Sequence, residues 1–102
     1  MYFIRPVPEL LKRLVLADRV ALSAKTRLLI RTSSLRVEDV LHAILEGRLV
    51  KRERDELSKI RWKYTVIGPA LGGRAVYCCG KVLEDEDGKM YFIITAHWAK
   101  SP

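Results

Sequence analysis

The spacing of apolar residues changes once along this chain and divides it into a helical half and an extended half. Leu11, Leu14 and Val15 follow Pro8 at helical spacing, with Lys12, Arg13 and Arg19 on other faces. Pro8 suits a first helical turn, because the N–H it lacks would have no partner there. A second, short helix is predicted after Ser23, whose hydroxyl can cap free N–H groups, as far as about Arg31 or Thr32. The doublet Ser33-Ser34 ends it. A third covers about Val37 to Glu46, where Val37, Val40, Leu41 and Ile44 make one apolar stripe. With Arg36 at the cap, Leu35 and Val40 stand where a hydrophobic staple would place them. Gly47 is expected to stop this helix in a left-handed conformation.

Beyond Gly47 the period falls to two. Arg48 to Arg54 reads as a polar strand at a sheet edge, and Asp55 to Ser58 as a charged link. Ile60, Trp62, Tyr64 and Val66 then alternate with Arg61, Lys63, Thr65 and Ile67, which predicts an apolar face inward and a cationic face outward. A loop bounded by Gly68-Pro69 and Gly72-Gly73 leads to a strand from Arg74 to Leu83. Glu84 to Gly88 carries the Asp-Gly hairpin signal. Lys89 to Trp98 closes the chain, with Met90, Phe92, Ile94 and Ala96 on one side and Tyr91, Ile93, Thr95 and His97 on the other. The expected fold is α+β, with two or three N-terminal helices packed on one face of a three- to four-stranded antiparallel sheet. Residues 1–102 form a single domain on this reading, 1–20 being an extra N-terminal helix beside a core of 21–102.

Composition narrows the partners. The chain has 102 residues, 49% hydrophobic and 30% charged, which fits one folded domain and excludes a disordered tail. Its net charge of +7 favours polyanionic partners. Cys78 and Cys79 are adjacent, so in a strand they point to opposite faces, and they lack the spacing of a zinc site. Reduced thiols and apolar runs too short to cross a bilayer point to the cytoplasm and away from a membrane. Gly68-Pro69-Ala70-Leu71-Gly72-Gly73 joins two strands and lacks the Lys-Ser/Thr of a phosphate loop. The pattern calls for no cofactor and no metal.

Several short motifs carry a resemblance. They are Ser23-Ala24-Lys25-Thr26-Arg27 with Arg31; Leu35 and Glu38-Asp39-Val40 with Leu41, Ile44 and Gly47; Tyr64-Thr65-Val66-Ile67-Gly68; Arg74-Ala75-Val76; and Ile93-Ile94-Thr95-Ala96-His97-Trp98. Over roughly residues 20 to 102 this order resembles the bacterial family catalogued as domain of unknown function 4258. That family looks related to the RelE-like and BrnT-like toxins, whose strand motifs Gly73-Arg74 and Ile94-Thr95-Ala96-His97 echo. Lys25 stands where the family has a His, Leu29 where an Arg is common and Ser33 where a second Arg is usual. Whatever those family residues do, this chain lacks it or performs it differently. The resemblance implies a RelE/BrnT-like fold, binding or cleavage of RNA, and a cognate antitoxin or other protein partner.

The residues themselves offer two sets for such chemistry. By alternation Arg61 and Lys63 share one strand face, while Tyr91 and His97 share one face of the last strand. Metal-independent RNA cleavage needs a base, an acid and cations around the phosphorane. His97 is the natural proton-transfer group, with Lys63 and Tyr91 as the other catalytic candidates. Arg61 and Arg74 are candidates to hold phosphate, and Tyr91 to stack a base. On the second helix Arg27 and Arg31 lie four apart on one face, with Lys25 near them in sequence, as a phosphate-binding ridge. The plainer readings are a solvated sheet face, and ion pairing of Arg27 and Arg31 with Glu38 or Asp39. Three functions therefore stand: an RNA-engaging toxin-like protein, ribonuclease or not; a non-enzymatic basic module that docks a protein or nucleic acid; or, given Lys25 at the family's His position, a degenerate family member that only binds its partner.

Overall fold

A computed structural model describes residues 2–57 and 61–100; the predicted strand start at Ile60 and link end at Ser58 lie outside these. Among the described residues the order is β1 (Tyr2–Pro6), α1 (Glu9–Leu16), β2 (Val20–Leu22), α2 (Ala24–Thr32), α3 (Val37–Glu46), β3 (Arg48–Arg54), β4 (Trp62–Pro69), β5 (Ala75–Asp85) and β6 (Gly88–Trp98). The α+β class and the helices-on-sheet arrangement hold. The sheet does not have the three or four antiparallel strands expected: it has six, in the order β1-β3-β4-β5-β6-β2, and β2 runs parallel to β6. β3 is therefore an interior strand rather than an edge, because β1 pairs along its outer side, Arg5 opposite Leu49 and Pro6 opposite Arg48.

Local chemistry explains how the chain enters and leaves each element. After α1, Arg19 N–H bonds Leu14 O at 2.8 Å and Asp18 N–H bonds Val15 O at 3.1 Å. Asp18 takes φ 58°, a left-handed conformation that a short polar side chain tolerates. This closes the helix and turns the chain directly into β2. Ser23 then caps α2, its Oγ accepting from Thr26 N–H at 3.0 Å. The α3 cap is held from inside the helix: Arg36 N–H donates to Asp39 Oδ2 at 3.1 Å. Asp39 Oδ1 also accepts from Leu71 N–H at 3.1 Å, so one carboxylate fixes both the helix start and the β4–β5 loop.

Gly47 is not the left-handed stop expected, since its φ is −93°. Its lack of a side chain matters for another reason. A Cβ there would lie 2.3 Å from Ala43 O, 2.6 Å from Ile67 O and 2.8 Å from Gly68 Cα. The end of α3 is thus pressed backbone to backbone on β4. The resulting core joins Leu11, Leu14 and Val15 of α1 with Leu35, Val40, Ala43 and Ile44, and sets them on Val66, Val76, Cys78, Tyr91, Ile93 and Ala96. All of these sheet residues lie on one face, leaving the other without helices.

The second difference from alternation decides that face. In β6, Thr95 lies opposite Cys79 but Ile93 lies opposite Gly80, so Ile94 is one residue too many and the parity reverses across it. Tyr91 and Ile93 therefore enter the core instead of sharing a face with Thr95 and His97, and Tyr91 is fully buried. Gly80 makes the room: a Cβ on it would meet the Tyr91 ring at 2.8 Å. The carbonyls at the bulge are claimed by α2. Thr26 Oγ1 donates to Ile93 O at 3.0 Å, Ser23 N–H to Ile93 O at 2.9 Å, and Ser23 Oγ to Ile94 O at 2.7 Å.

Candidate nucleic-acid interface

The helix-free face can be read row by row from the strand register. One row holds Arg48, Ile67, Tyr77 and His97; the next Lys51, Thr65, Cys79 and Thr95; the third Glu53, Lys63, Lys81 and Phe92. In the first row the Tyr77 and His97 rings stack, with centroids 4.7 Å apart and planes 11° from parallel. His97 Nδ1 lies 2.9 Å from Trp98 O. A carbonyl only accepts, so Nδ1 carries the proton in the neutral ring and Nε2 presents its lone pair. Thr65 and Cys79 in the middle row are small and buried, which lets the longer side chains around them form the surface.

The third row carries charge of both signs. Lys81 Nζ lies 2.8 Å from Asp55 Oδ2, and Glu53 lies 3.4 Å from Lys51 Nζ and 4.0 Å from Lys63 Nζ. The hydrogen bond from Lys81, with Leu57 N–H on the other oxygen, holds the Asp55 carboxyl below its ordinary 3.8. This ties Asp55 to the sheet and leads residues 55–57 along its edge. They form one wall of a groove of about 480 Å³ whose floor includes Tyr77, Phe92 and Ile94.

The predicted site residues are only partly brought together. His97 and Lys63 do share the open face. They are not neighbours: Ile67 lies in the His97 row and Lys63 four residues away along β4, about 13 Å at the usual strand rise. Tyr91 does not belong with them. Its ring is in the core and its hydroxyl donates to Tyr64 O at 3.0 Å; burial, then the neighbouring Cys78, pushes its pKa well above 10. Arg61 is separated from Lys63, because it lines a groove on the helix-bearing side with Leu10, Trp62 and Tyr64.

Arg74 also leaves the open face, its guanidinium lying 4.4 Å from the centroid of the Trp98 ring. Trp98 packs on the core and donates Nε1–H to Ser33 O at 2.9 Å. Lys25, Arg27 and Arg31 are exposed on α2, and no ion pair of Arg27 or Arg31 with Glu38 or Asp39 forms among the described residues. Cys78 and Cys79 are free thiols on opposite faces, and burial pushes the Cys78 thiol up to about 12. His42, beside the α3 stripe, is a boundary residue whose Nδ1 lies 2.8 Å from Pro69 O.

Sequence reading missed Tyr77, Lys81 and Lys51 as members of the open face. The first two were within reach, since Tyr77, Cys79 and Lys81 alternate without interruption in β5. Among the described residues no helix is long and apolar enough to cross a membrane. No protein-family model matches the chain, and no curated protein matches it.

Proposed function

We propose that this chain engages single-stranded RNA with the open face of its sheet, as a toxin-like protein of a bacterial toxin–antitoxin module. The observation that carries the reading is the Tyr77–His97 stack on a strand surface whose next rows hold Lys51, Lys63 and Lys81. Unstacked bases lie on aromatic side chains of this kind, while cations along the same surface follow the phosphates. The distance between the His97 and Lys63 rows spreads these contacts along a strand instead of converging them on one phosphate. The toxin-like part rests on the motif resemblance, and a cognate antitoxin is then the protein partner.

A second reading, a metal-independent ribonuclease, is favoured by one feature, the His97 Nδ1 hydrogen bond to Trp98 O, which leaves Nε2 as the basic nitrogen of the neutral ring. In that reaction Nε2 takes the 2′-hydroxyl proton while O2′ attacks phosphorus. The bond from phosphorus to the 5′ oxygen breaks, and that oxygen takes a proton from water. The products are a 2′,3′-cyclic phosphate and a 5′-hydroxyl end.

Induced expression in a bacterial host tests both, with wild type beside His97→Ala and Tyr77→Leu, following growth, RNA integrity and crosslinked RNA. Growth arrest with crosslinked, intact RNA, relieved by Tyr77→Leu, supports the binding reading. Arrest with RNA loss, relieved by His97→Ala, supports the nuclease. Normal growth with no crosslinked RNA contradicts both.

A further inference from the structure

The helix-bearing side of the sheet holds a second cationic and aromatic cluster, at the end of β3 and β4. Trp62 points to the same side as Val66 and lines a groove there with Leu10 of α1, but it stays half-buried where a core tryptophan would be covered. Arg54 stands directly opposite it on β3, and Arg52 two residues along on the same face. Both guanidinium groups lie over the indole, 4.4 Å from its centroid for Arg52 and 4.6 Å for Arg54. The groove beside the ring is about 350 Å³, and Arg61 and Lys89 line it with Glu84 as the single carboxylate among its lining residues.

This arrangement suits an anionic ligand. A guanidinium held over an aromatic ring keeps N–H groups available at its edge, in the fork that matches two phosphate oxygens. Stacking fixes the side chain beforehand, so less freedom is lost when phosphate arrives. Arg52 and Arg61 are exposed and form no ion pair among the described residues, so at these two no carboxylate must be displaced. The residue after Trp62 is Lys63, whose side chain turns to the open face. Lys63 on the open face and Arg61 on the helix-bearing side are two residues apart, about 7 Å at the usual strand rise, within reach of one nucleic-acid strand.

We infer that Arg52, Arg54 and Arg61 around Trp62 form a second phosphodiester-binding site, which takes the continuation of an RNA strand bound on the open face. This rests on the RNA reading above and extends the bound length beyond that face.

The test is titration of the full-length protein with a labelled single-stranded RNA of about 20 nucleotides at several salt concentrations, followed by anisotropy and by tryptophan emission. Arg52→Gln with Arg61→Gln weakens binding about tenfold and lowers the salt slope by about 1.4, the loss of two phosphate contacts to a single strand. RNA changes the emission of wild type more than that of Trp62→Phe. Arg52→Lys, which keeps the charge and loses the fork, gives an intermediate affinity at unchanged thermal midpoint. Unchanged affinity and slope in the double variant, with binding still lost in Tyr77→Leu, overturn the second site and leave the open-face reading intact. No binding by wild type overturns both.

Discussion

Tyr77 and His97 lie directly opposite each other on β5 and β6, and their rings stack at 4.7 Å on the face that no helix covers. The stack is a product of the Ile94 bulge. With uninterrupted alternation His97 would share a face with Tyr91, so both would lie in the core or both on the open face. The bulge lets Tyr91 fill the core while His97 stays on the surface. Replacing Tyr77 with Leu removes the larger ring without opening the core, and RNA binding is expected to weaken by about 1–3 kcal/mol. Anisotropy with a labelled single-stranded RNA checks this, with the thermal midpoint as the control for folding.

The bulge is held by the α2 cap, which links a local helix signal to the chemistry of the distant strand. Ser23→Ala removes the acceptor for Thr26 N–H and the donor to Ile94 O together. A loss of about 1–2 kcal/mol in urea unfolding is expected. Tyr91→Phe, which loses the hydroxyl's bond to Tyr64 O and its contact with the Cys78 thiol, should cost about 1 kcal/mol and leave RNA affinity unchanged. A large loss of affinity in Tyr91→Phe would put that hydroxyl in the site, against the burial described here.

Gly47 and Gly72 should respond in opposite ways to alanine. At Gly47 the added Cβ meets only backbone atoms, none of which can turn aside. A loss of about 3 kcal/mol or more is expected, or failure to fold. At Gly72 nothing lies within 4 Å, and Gly72→Ala should be neutral or stabilising by up to about 1 kcal/mol. Urea midpoints of the two variants, measured side by side, decide it.

Asp55 gives a dependence on pH. Because its carboxyl is held below 3.8 by Lys81 and by Leu57 N–H, the folded state favours the ionised form. The stability this adds is full above that value and is lost as pH falls through the lower folded pKa. Asp55→Asn should therefore be less stable than wild type at pH 6, with a gap that narrows as the pH is lowered below about 4. A gap independent of pH would mean that the pair contributes through shape alone.

The helices were legible because their signals are local. The stripe at Val37, Val40, Leu41 and Ile44, the cap at Ser23 and the Asp87-Gly88 turn each lie within a few residues of what they determine. β1 and β2 were not legible: they are five and three residues long, and each is a strand only because a distant partner, β3 or β6, offers it an edge. The same reason hid the bulge, which depends on Gly80 and on Ser23 and Thr26 rather than on the β6 sequence. Of the candidate site, parity alone put Lys63 on the outward face where it lies. It grouped His97 with Tyr91, which the bulge separates, and it says nothing about Arg61 and Arg74, which stand just outside a strand.

The most direct test of the central claim is RNA binding by the purified protein, with wild type beside Tyr77→Leu and His97→Ala, in the presence of a chelator. Anisotropy reports binding, and a gel of the same samples reports whether the RNA stays whole. Saturable binding of single-stranded RNA is predicted, falling as salt rises and weakened in Tyr77→Leu at unchanged thermal midpoint. Cyclic-phosphate products that disappear in His97→Ala would add cleavage to that reading. No binding at low salt, or binding that ignores both substitutions, would contradict the assignment of the open face.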